Sequence, residues 1–489
     1  LRDLQIDHDK LDSDPTYTGL MFTDFSLVTE LEISKIINKS APKSSVLDPV
    51  HTQLVKDCLE ILTPIITRIV NKSFSSGYVP KLFKIAAVTP LLKKANLISE
   101  ILKNFRPISN LPFLSKVLEK AAVKQLITHK EINNLRERNQ SAYRENHSTE
   151  TALLSIQNDL LMALDKKQCI LMTCLDLSAA FDTVSHATLL NRLSVRYGIK
   201  NNAHKWLSSY LTDREQFVTI KGCKSSNRAK NCDVPQGSIL GPNLYEDYTA
   251  APLGDIFRKH DIMYHIYADD TQVYLPFTPG NESDAMDRML KCLEEVRVWM
   301  GANSLQLNSS KTEFIIFGSK MNLANVKIDK LEFGDSDIPV SMSIKSIGAF
   351  LDRNLQMSKQ VTSVCQSAWF HLHQISKIRK FITVDQTKYL INAYVTSRLD
   401  LQNGLLIGIP ATQIRKLQLI QNAAAKLITG HKKYDHVTPL LLELHWLPVH
   451  FRILYKILLI TFKTLHGKGP VYLKNLLIPY VPTRSLRSS

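Results

Sequence analysis

Apolar residues fall into two kinds of run along this chain. The first kind is short and rich in β-branched and aromatic side chains. Ile170-Leu171-Met172-Thr173-Cys174-Leu175 predicts a strand buried in a sheet. Met263-Tyr264-His265-Ile266-Tyr267 and Thr271-Gln272-Val273-Tyr274-Leu275 flank Ala268-Asp269-Asp270, which predicts a β-hairpin with carboxylates at its tip. The second kind has helical spacing. Leu54, Cys58, Leu59, Leu62, Ile65 and Ile66 form one stripe; Met286, Met289, Leu290, Leu293, Val296 and Met300 form another, with Ser283 as N-cap and Gly301 closing the helix over the sheet. Beyond Asp352 the pattern turns helical, with Ile414, Leu417, Ile420, Ala424 and Leu427 on one face and Arg415, Lys416 and Lys426 elsewhere. No internal repeat or low-complexity tract interrupts these elements.

The chemistry sits where the short runs end. Asp176 closes the first strand and Asp269-Asp270 lie at the hairpin tip. Three carboxylates so placed would hold two divalent cations a few ångströms apart, an arrangement suited to phosphoryl transfer. Taken alone, an Asp-Asp pair is weak evidence, because Asp is a common turn residue and most such pairs are solvated loops.

The neighbouring segments add specificity. Leu175-Asp176-Leu177-Ser178-Ala179-Ala180-Phe181-Asp182-Thr183-Val184-Ser185-His186, Val234-Pro235-Gln236-Gly237-Ser238-Ile239-Leu240-Gly241-Pro242 and Tyr267-Ala268-Asp269-Asp270 occur in that order. Upstream stand Asn104-Phe105-Arg106-Pro107-Ile108-Ser109-Asn110-Leu111-Pro112 and Gln140-Ser141-Ala142-Tyr143-Arg144; downstream stand Leu307-Asn308-Ser309-Ser310-Lys311-Thr312-Glu313 and Ser346-Ile347-Gly348. Together these resemble the reverse transcriptases of LINE-type, or non-LTR, retrotransposons, over nearly the whole chain.

The resemblance implies an α+β right-hand polymerase of fingers, palm and thumb, with an antiparallel palm sheet and a helical C-terminal region, copying template RNA from a DNA primer with dNTPs. It implies Mg²⁺, or Mn²⁺, on Asp176, Asp269 and Asp270. Lys311 stands where polymerases often place a proton donor for pyrophosphate. Phe181 stands where the family places an aromatic ring that collides with a ribose 2′-hydroxyl. Gln236 and Gly237 would hold the incoming nucleotide and template; Lys93, Lys94 and Arg106 would grip its triphosphate. Each has a plainer reading in its residue type: core packing for Phe181, a turn for Pro235-Gln236-Gly237, solvated surface for the lysines.

By the same resemblance, residues 1–80 form an N-terminal extension, 81–169 the fingers, 170–355 the palm and 356–489 the thumb and basic C-terminal region. One stretch departs from the family. After Gly241-Pro242, where apolar helix is usual, the chain has Asn243-Leu244-Tyr245-Glu246-Asp247-Tyr248. Inward and unpaired, Glu246 and Asp247 would cost several kcal/mol, as in an eroded element copy.

Composition narrows the partner. In 489 residues the formal charge is +16, and Val361–Ser489 holds 17 Lys plus Arg against 4 Asp plus Glu, or +13. Such a region favours a polyanion through phosphate contacts and counterion release. The seven cysteines, Cys58, Cys169, Cys174, Cys223, Cys232, Cys292 and Cys365, show no zinc-site or disulfide spacing, and His371 and His373 have no clustered partner. Phe451–Leu465, interrupted by Arg452, Lys456 and Lys463, falls short of a membrane span. The resemblance places the protein in the nucleus and in a cytoplasmic ribonucleoprotein, and nothing in the chain resembles the family's endonuclease. The opening Leu1-Arg2 and closing Arg487-Ser488-Ser489 suit a fragment. Two alternatives stay open: a decayed or domesticated copy that only binds RNA or DNA, and an RNA-dependent RNA polymerase, against which Phe181 counts.

Overall fold

The computed structural model describes residues 14–94, 96–178, 181–230, 232–308, 310–334 and 336–478. Ala179, Ala180 and Ser309 of the motifs above, and both chain ends, lie outside the described residues. The fold is mixed α and β and divides into two compact units. The first comprises Leu1–Glu137, Leu177–Lys259 and Glu294–Asn308; the second comprises Arg138–Asp176, His260–Leu293 and Ser309–Ser489.

In the first unit the strands Ile85–Leu92 and Phe105–Asn110 pair antiparallel from Ala87↔Asn110 to Leu92↔Phe105. Arg214–Ile220 runs parallel to Ile85–Leu92 on its other edge. The N-terminal apolar stripe is split by Cys58 into the helices Thr52–Asp57 and Leu59–Ser76. Its inward face is Val55, Thr63, Ile66, Val70 and Phe74, while Leu54 and Ile65 stay exposed. The face is chosen by tertiary aromatic contact: the Phe74 ring stacks on Phe25 at 4.7 Å and meets Trp206 edge-on at 5.8 Å. Those large rings outweigh the slightly more hydrophobic stripe read from the sequence.

The helix Gly241–Lys259 is buried along nearly its whole length. Glu246 and Asp247 do point inward, but neither is unpaired. Lys130 Nζ donates to both Asp247 oxygens, at 2.8 and 3.0 Å. Arg136 forks onto Glu246, with Nε 3.0 Å from Oε1. The cost expected of unpaired inward carboxylates therefore does not arise: two cations offset the two anions inside the unit.

The second unit is built on a six-stranded sheet in the order Lys330–Phe333, Ser336–Ser341, Glu313–Phe317, Cys169–Leu175, Asp270–Phe277, Met263–Tyr267. The sheet is not antiparallel throughout, since Ser336–Ser341 runs parallel to Glu313–Phe317. The helix Thr149–Asp165 supplies Ala152, Leu153, Ile156 and Leu160 to a core shared with Ile170, Met172 and Ile315. That core continues into the helices Ser358–Ile378 and Ala411–Thr429, where Leu417, Ile420 and Ala424 are buried as their spacing predicts. Ser343–Ser346 and Ala349–Asp352 form a hairpin whose loop, Ile347-Gly348, has φ of 44° and 91°. A β-branched residue rarely adopts such a φ, and Gln402 holds this one by donating to the Ile347 carbonyl at 2.9 Å.

The stripe helix spans Glu282–Ala302, so Ser283 lies inside it and Gly301 sits in its last turn. Glu282 is its first residue, and its carboxylate accepts the Gly280 N–H of the preceding turn at 3.0 Å.

Lys130→Met should strand the Asp247 charge and destabilise the chain by about 3–5 kcal/mol, whereas Lys130→Met/Asp247→Leu should recover most of that loss. Urea unfolding measures both; equal losses for single and double variants would contradict the pairing.

Candidate active site and nucleotide-binding loops

Strand register places the carboxylates. Cys169–Leu175 and Asp270–Phe277 pair antiparallel from Cys169↔Phe277 to Leu175↔Thr271. One further step along that register sets Asp176 against Asp270. On the other side Tyr267 pairs with Asp270, so the hairpin loop is the two residues Ala268 and Asp269. Asp270 is therefore the first strand residue rather than part of the tip. Ala268 has φ 59°, left-handed backbone that costs an L-residue about 1–2 kcal/mol. The turn is held there by the ladders on both sides.

Electrostatics follow from this crowding. Burial, then repulsion from Asp269 and Asp176, pushes the Asp270 carboxyl up to about 6, against a smaller opposing pull from Lys311. Lys311 Nζ lies 2.9 Å from Asp176 Oδ1, with the lysine side chain mostly exposed. Among the described residues no three His, Cys, Asp or Glu side chains converge closely enough to hold a metal ion as they stand. The donor set nonetheless fits a hard divalent cation: three carboxylates share one nearby ammonium, and their repulsion is already raising a proton affinity.

A second layer braces the hairpin from its outer edge. Asn139 and Ser141 extend the ladder, with Ile266 N–H donating to Asn139 O at 2.8 Å and Ser141 N–H to Ile266 O at 3.0 Å. Ser141 Oγ lies 2.8 Å from His265 Nε2 and 2.8 Å from the Tyr472 hydroxyl, which itself donates to Thr151 Oγ1 at 3.1 Å. Burial pushes the His265 imidazole down to about 3, so it stays neutral and hydrogen-bonding. On the inner strand Tyr274 donates to Asp159 at 2.6 Å. Tyr143, in left-handed backbone at φ 57°, has its phenol pushed up by burial and by Asp269. The Gln140-Ser141-Ala142-Tyr143-Arg144 segment was visible as a motif without a role. The structure gives it an edge-strand role against the hairpin. Tyr472 had no sequence signal, being 331 residues from Ser141.

The remaining candidates lie in the first unit. Lys93 and Lys94 follow the strand Ile85–Leu92 at the exposed turn of its hairpin, and Arg106 stands on the partner strand opposite Leu91. Lys93 Nζ donates to Lys103 O at 2.7 Å. Gln236 and Gly237 lie against that same partner strand. Ser109 N–H donates to Gln236 O at 2.8 Å, and a Cβ on Gly237 would stand 2.6 Å from Ser109 O at φ 127°, so only glycine fits. The loop is anchored again by Glu119, wholly buried, whose carboxylate accepts Ile239 and Leu240 N–H at 2.7 and 3.0 Å. Val234 N–H donates to Phe181 O at 3.0 Å. The Pro-Gln-Gly loop thus ties together the Arg106 strand and the Phe181 turn. Glu119, which closes the start of the helix Gly241–Lys259, lies on the buried face of the helix Phe113–Ile132 among Val117, Leu118 and Ala122, and its backbone partners are 120 and 121 residues away, so no local pattern marks it. The cysteines are free among the described residues, and burial pushes the Cys174 thiol up to about 12.

Residues 92–391 match the family described as reverse transcriptase (RNA-dependent DNA polymerase). The chain is 27% identical over 414 residues to the RNA-directed DNA polymerase from mobile element jockey of Drosophila funebris, covering 82% of this chain and 43% of that protein. It is 28% identical over 384 residues to the probable RNA-directed DNA polymerase from transposon X-element of Drosophila melanogaster, covering 75% and 40%. The chain thus spans about two fifths of the length of these relatives.

A carboxyl whose folded-state proton affinity is raised contributes stability below its unfolded value and loses it as pH rises through about 6. Asp270→Asn should therefore stabilise the metal-free chain at pH 8 by on the order of 1–2 kcal/mol after allowance for solvent screening, and by much less at pH 4. Thermal unfolding in chelator at both pH values tests this; a destabilised variant at pH 8 would contradict the repulsion.

Proposed function

Because the chain belongs to the reverse transcriptase (RNA-dependent DNA polymerase) family, we propose that it copies RNA into DNA for a LINE-like mobile element. The observation that carries this reading is a ladder that ends at Leu175↔Thr271, one residue short of Asp176 and Asp270, with Asp269 in the adjoining two-residue loop and both Asp176 and Asp269 repelling the Asp270 carboxyl. Asp176, Asp269 and Asp270 would hold the Mg²⁺ or Mn²⁺ ions. Held by these carboxylates, such ions would supply Lewis-acid activation of a primer 3′-hydroxyl and charge stabilisation for pyrophosphate.

The chain's own groups do the rest. Asp176 and Asp270 fix where the charge is concentrated. Lys311, exposed beside Asp176, neutralises part of it and carries a proton suited to the leaving pyrophosphate. Lys93, Lys94 and Arg106 meet the triphosphate, as exposed cations on one hairpin. Gln236 and Gly237 hold the nucleotide and template against rigid backbone, and Phe181 excludes the ribose 2′-hydroxyl. In this reading residues 81–169 act as fingers, 170–355 as palm and 356–489 as thumb, with 1–80 an N-terminal extension. The +13 excess in the last 129 residues grips template RNA and DNA primer. An endonuclease segment would supply the nick, and action in the nucleus and in a cytoplasmic ribonucleoprotein follows from the same family reading. No helix among the described residues is long and apolar enough to cross a membrane.

Extension of a DNA primer on an RNA template with dNTPs and Mg²⁺ tests the proposal. Wild type should extend, and Asp269→Asn/Asp270→Asn should lose at least roughly a hundredfold in rate. A folded wild type that binds template-primer without extending it would contradict the reading and favour a binding-only copy. Tyr472→Phe, which removes one hydroxyl from the brace behind the hairpin, should lower kcat roughly tenfold with dNTP KM retained; an unchanged kcat would separate that brace from catalysis.

A further inference from the structure

We infer that Tyr245 is a positioning residue that fixes the Phe181 ring and so sets how strictly ribonucleotides are rejected; this rests on the assignment of Phe181 as the sugar-excluding side chain. The two rings stack at 4.6 Å with 20° between their planes. Tyr245 is 1% exposed, whereas Phe181 is half-buried. A steric filter works only if the ring cannot retreat by about an ångström when pressed, as interaction energy falls steeply over such distances.

Both the plate and the ring's backbone are immobilised. Tyr245 sits in the second turn of the helix Gly241–Lys259, whose start is bound by Glu119 and by Ser238 Oγ, which accepts the Gly241 N–H at 2.9 Å. The Phe181 carbonyl accepts from Val234 N–H at 3.0 Å and the Val184 carbonyl from Asp233 N–H at 3.1 Å. Asp233 has φ 108°, a conformation rarely adopted by a side chain-bearing residue. It is kept there by Lys230, 3.1 Å from its Oδ2, and by His186 Nε2, 2.7 Å from its carbonyl. The loop therefore holds the Phe181 main chain while Tyr245 blocks one face of its ring.

Tyr245 falls within the stretch that departs from the family's apolar pattern. An aliphatic side chain there would fill similar volume without presenting a flat face. The stack contributes an increment that corresponds to roughly three- to tenfold in an equilibrium.

The test is single-nucleotide incorporation on an RNA template, comparing kcat/KM for a dNTP and its rNTP. Tyr245→Leu should lower the dNTP/rNTP ratio roughly three- to tenfold, chiefly through a rise in ribonucleotide kcat/KM, which general loss of structure would not produce. Tyr245→Phe, which keeps the stack, should retain the wild-type ratio. Phe181→Val is the control and should lower the ratio further. A reduced ratio in Phe181→Val with none in Tyr245→Leu overturns the inference while leaving Phe181 as the filter. An unchanged ratio in both overturns the assignment of Phe181 itself. Should Tyr245→Leu fail to fold, Tyr245→Met gives the same readout. Should wild type not turn over, competition between the rNTP and dNTP for the template-primer complex reads the same ratio, and equal competition in wild type and variant overturns the inference.

Discussion

Like charges held close by a β-ladder are the constraint around which the second unit is organised. Antiparallel pairing through Leu175↔Thr271 makes Asp176 and Asp270 the next residues of their strands, a two-residue loop adds Asp269, and the Asp270 carboxyl is repelled by both neighbours. Left alone, such an arrangement would fray the strand ends. It persists because each strand is secured away from the carboxylates: Ile170 and Met172 are packed in the core beneath, Tyr274 is bonded to Asp159, and His265 is locked through Ser141 to Tyr472. Carboxyls perturbed in this way cluster at functional sites.

The first unit solves a different problem, the holding of loops. Its Pro-Gln-Gly loop makes backbone hydrogen bonds to Ser109 and Phe181 and accepts capping from one buried carboxylate, Glu119. Each bond is worth only about 1 kcal/mol net, but leaving any buried partner unmade costs more. The loop is consequently over-determined, which is what a backbone at φ 108° and 127° requires. The buried Lys130–Asp247 and Arg136–Glu246 pairs extend the same principle into the helix that follows.

Much of this was legible in the sequence where the signal is local. Apolar runs bounded the Cys169–Leu175 strand and the hairpin strands to within one or two residues, and the helical stripe of Ala411–Thr429 was read correctly. What escaped notice depended on residues far apart. The cations that pair with Glu246 and Asp247 lie 110 and 117 residues away, so the sequence showed two charges in an apolar context and nothing to offset them. The inward face of Leu59–Ser76 was chosen by Phe25 and Trp206. The parallel strand Ser336–Ser341 and the Tyr472 brace likewise arise from tertiary placement, on which periodicity is silent. Lys311 was noted for its position, but its contact with Asp176 is a fact of geometry.

In the proposed reading Asp176, Asp269 and Asp270 bind divalent cations together. Electron paramagnetic resonance of Mn²⁺ titrated into the chain without nucleotide tests it most directly, comparing wild type with Asp270→Asn. Wild type should bind Mn²⁺, and its affinity should drop at least roughly tenfold in the variant. Equal Mn²⁺ binding by both proteins would contradict it.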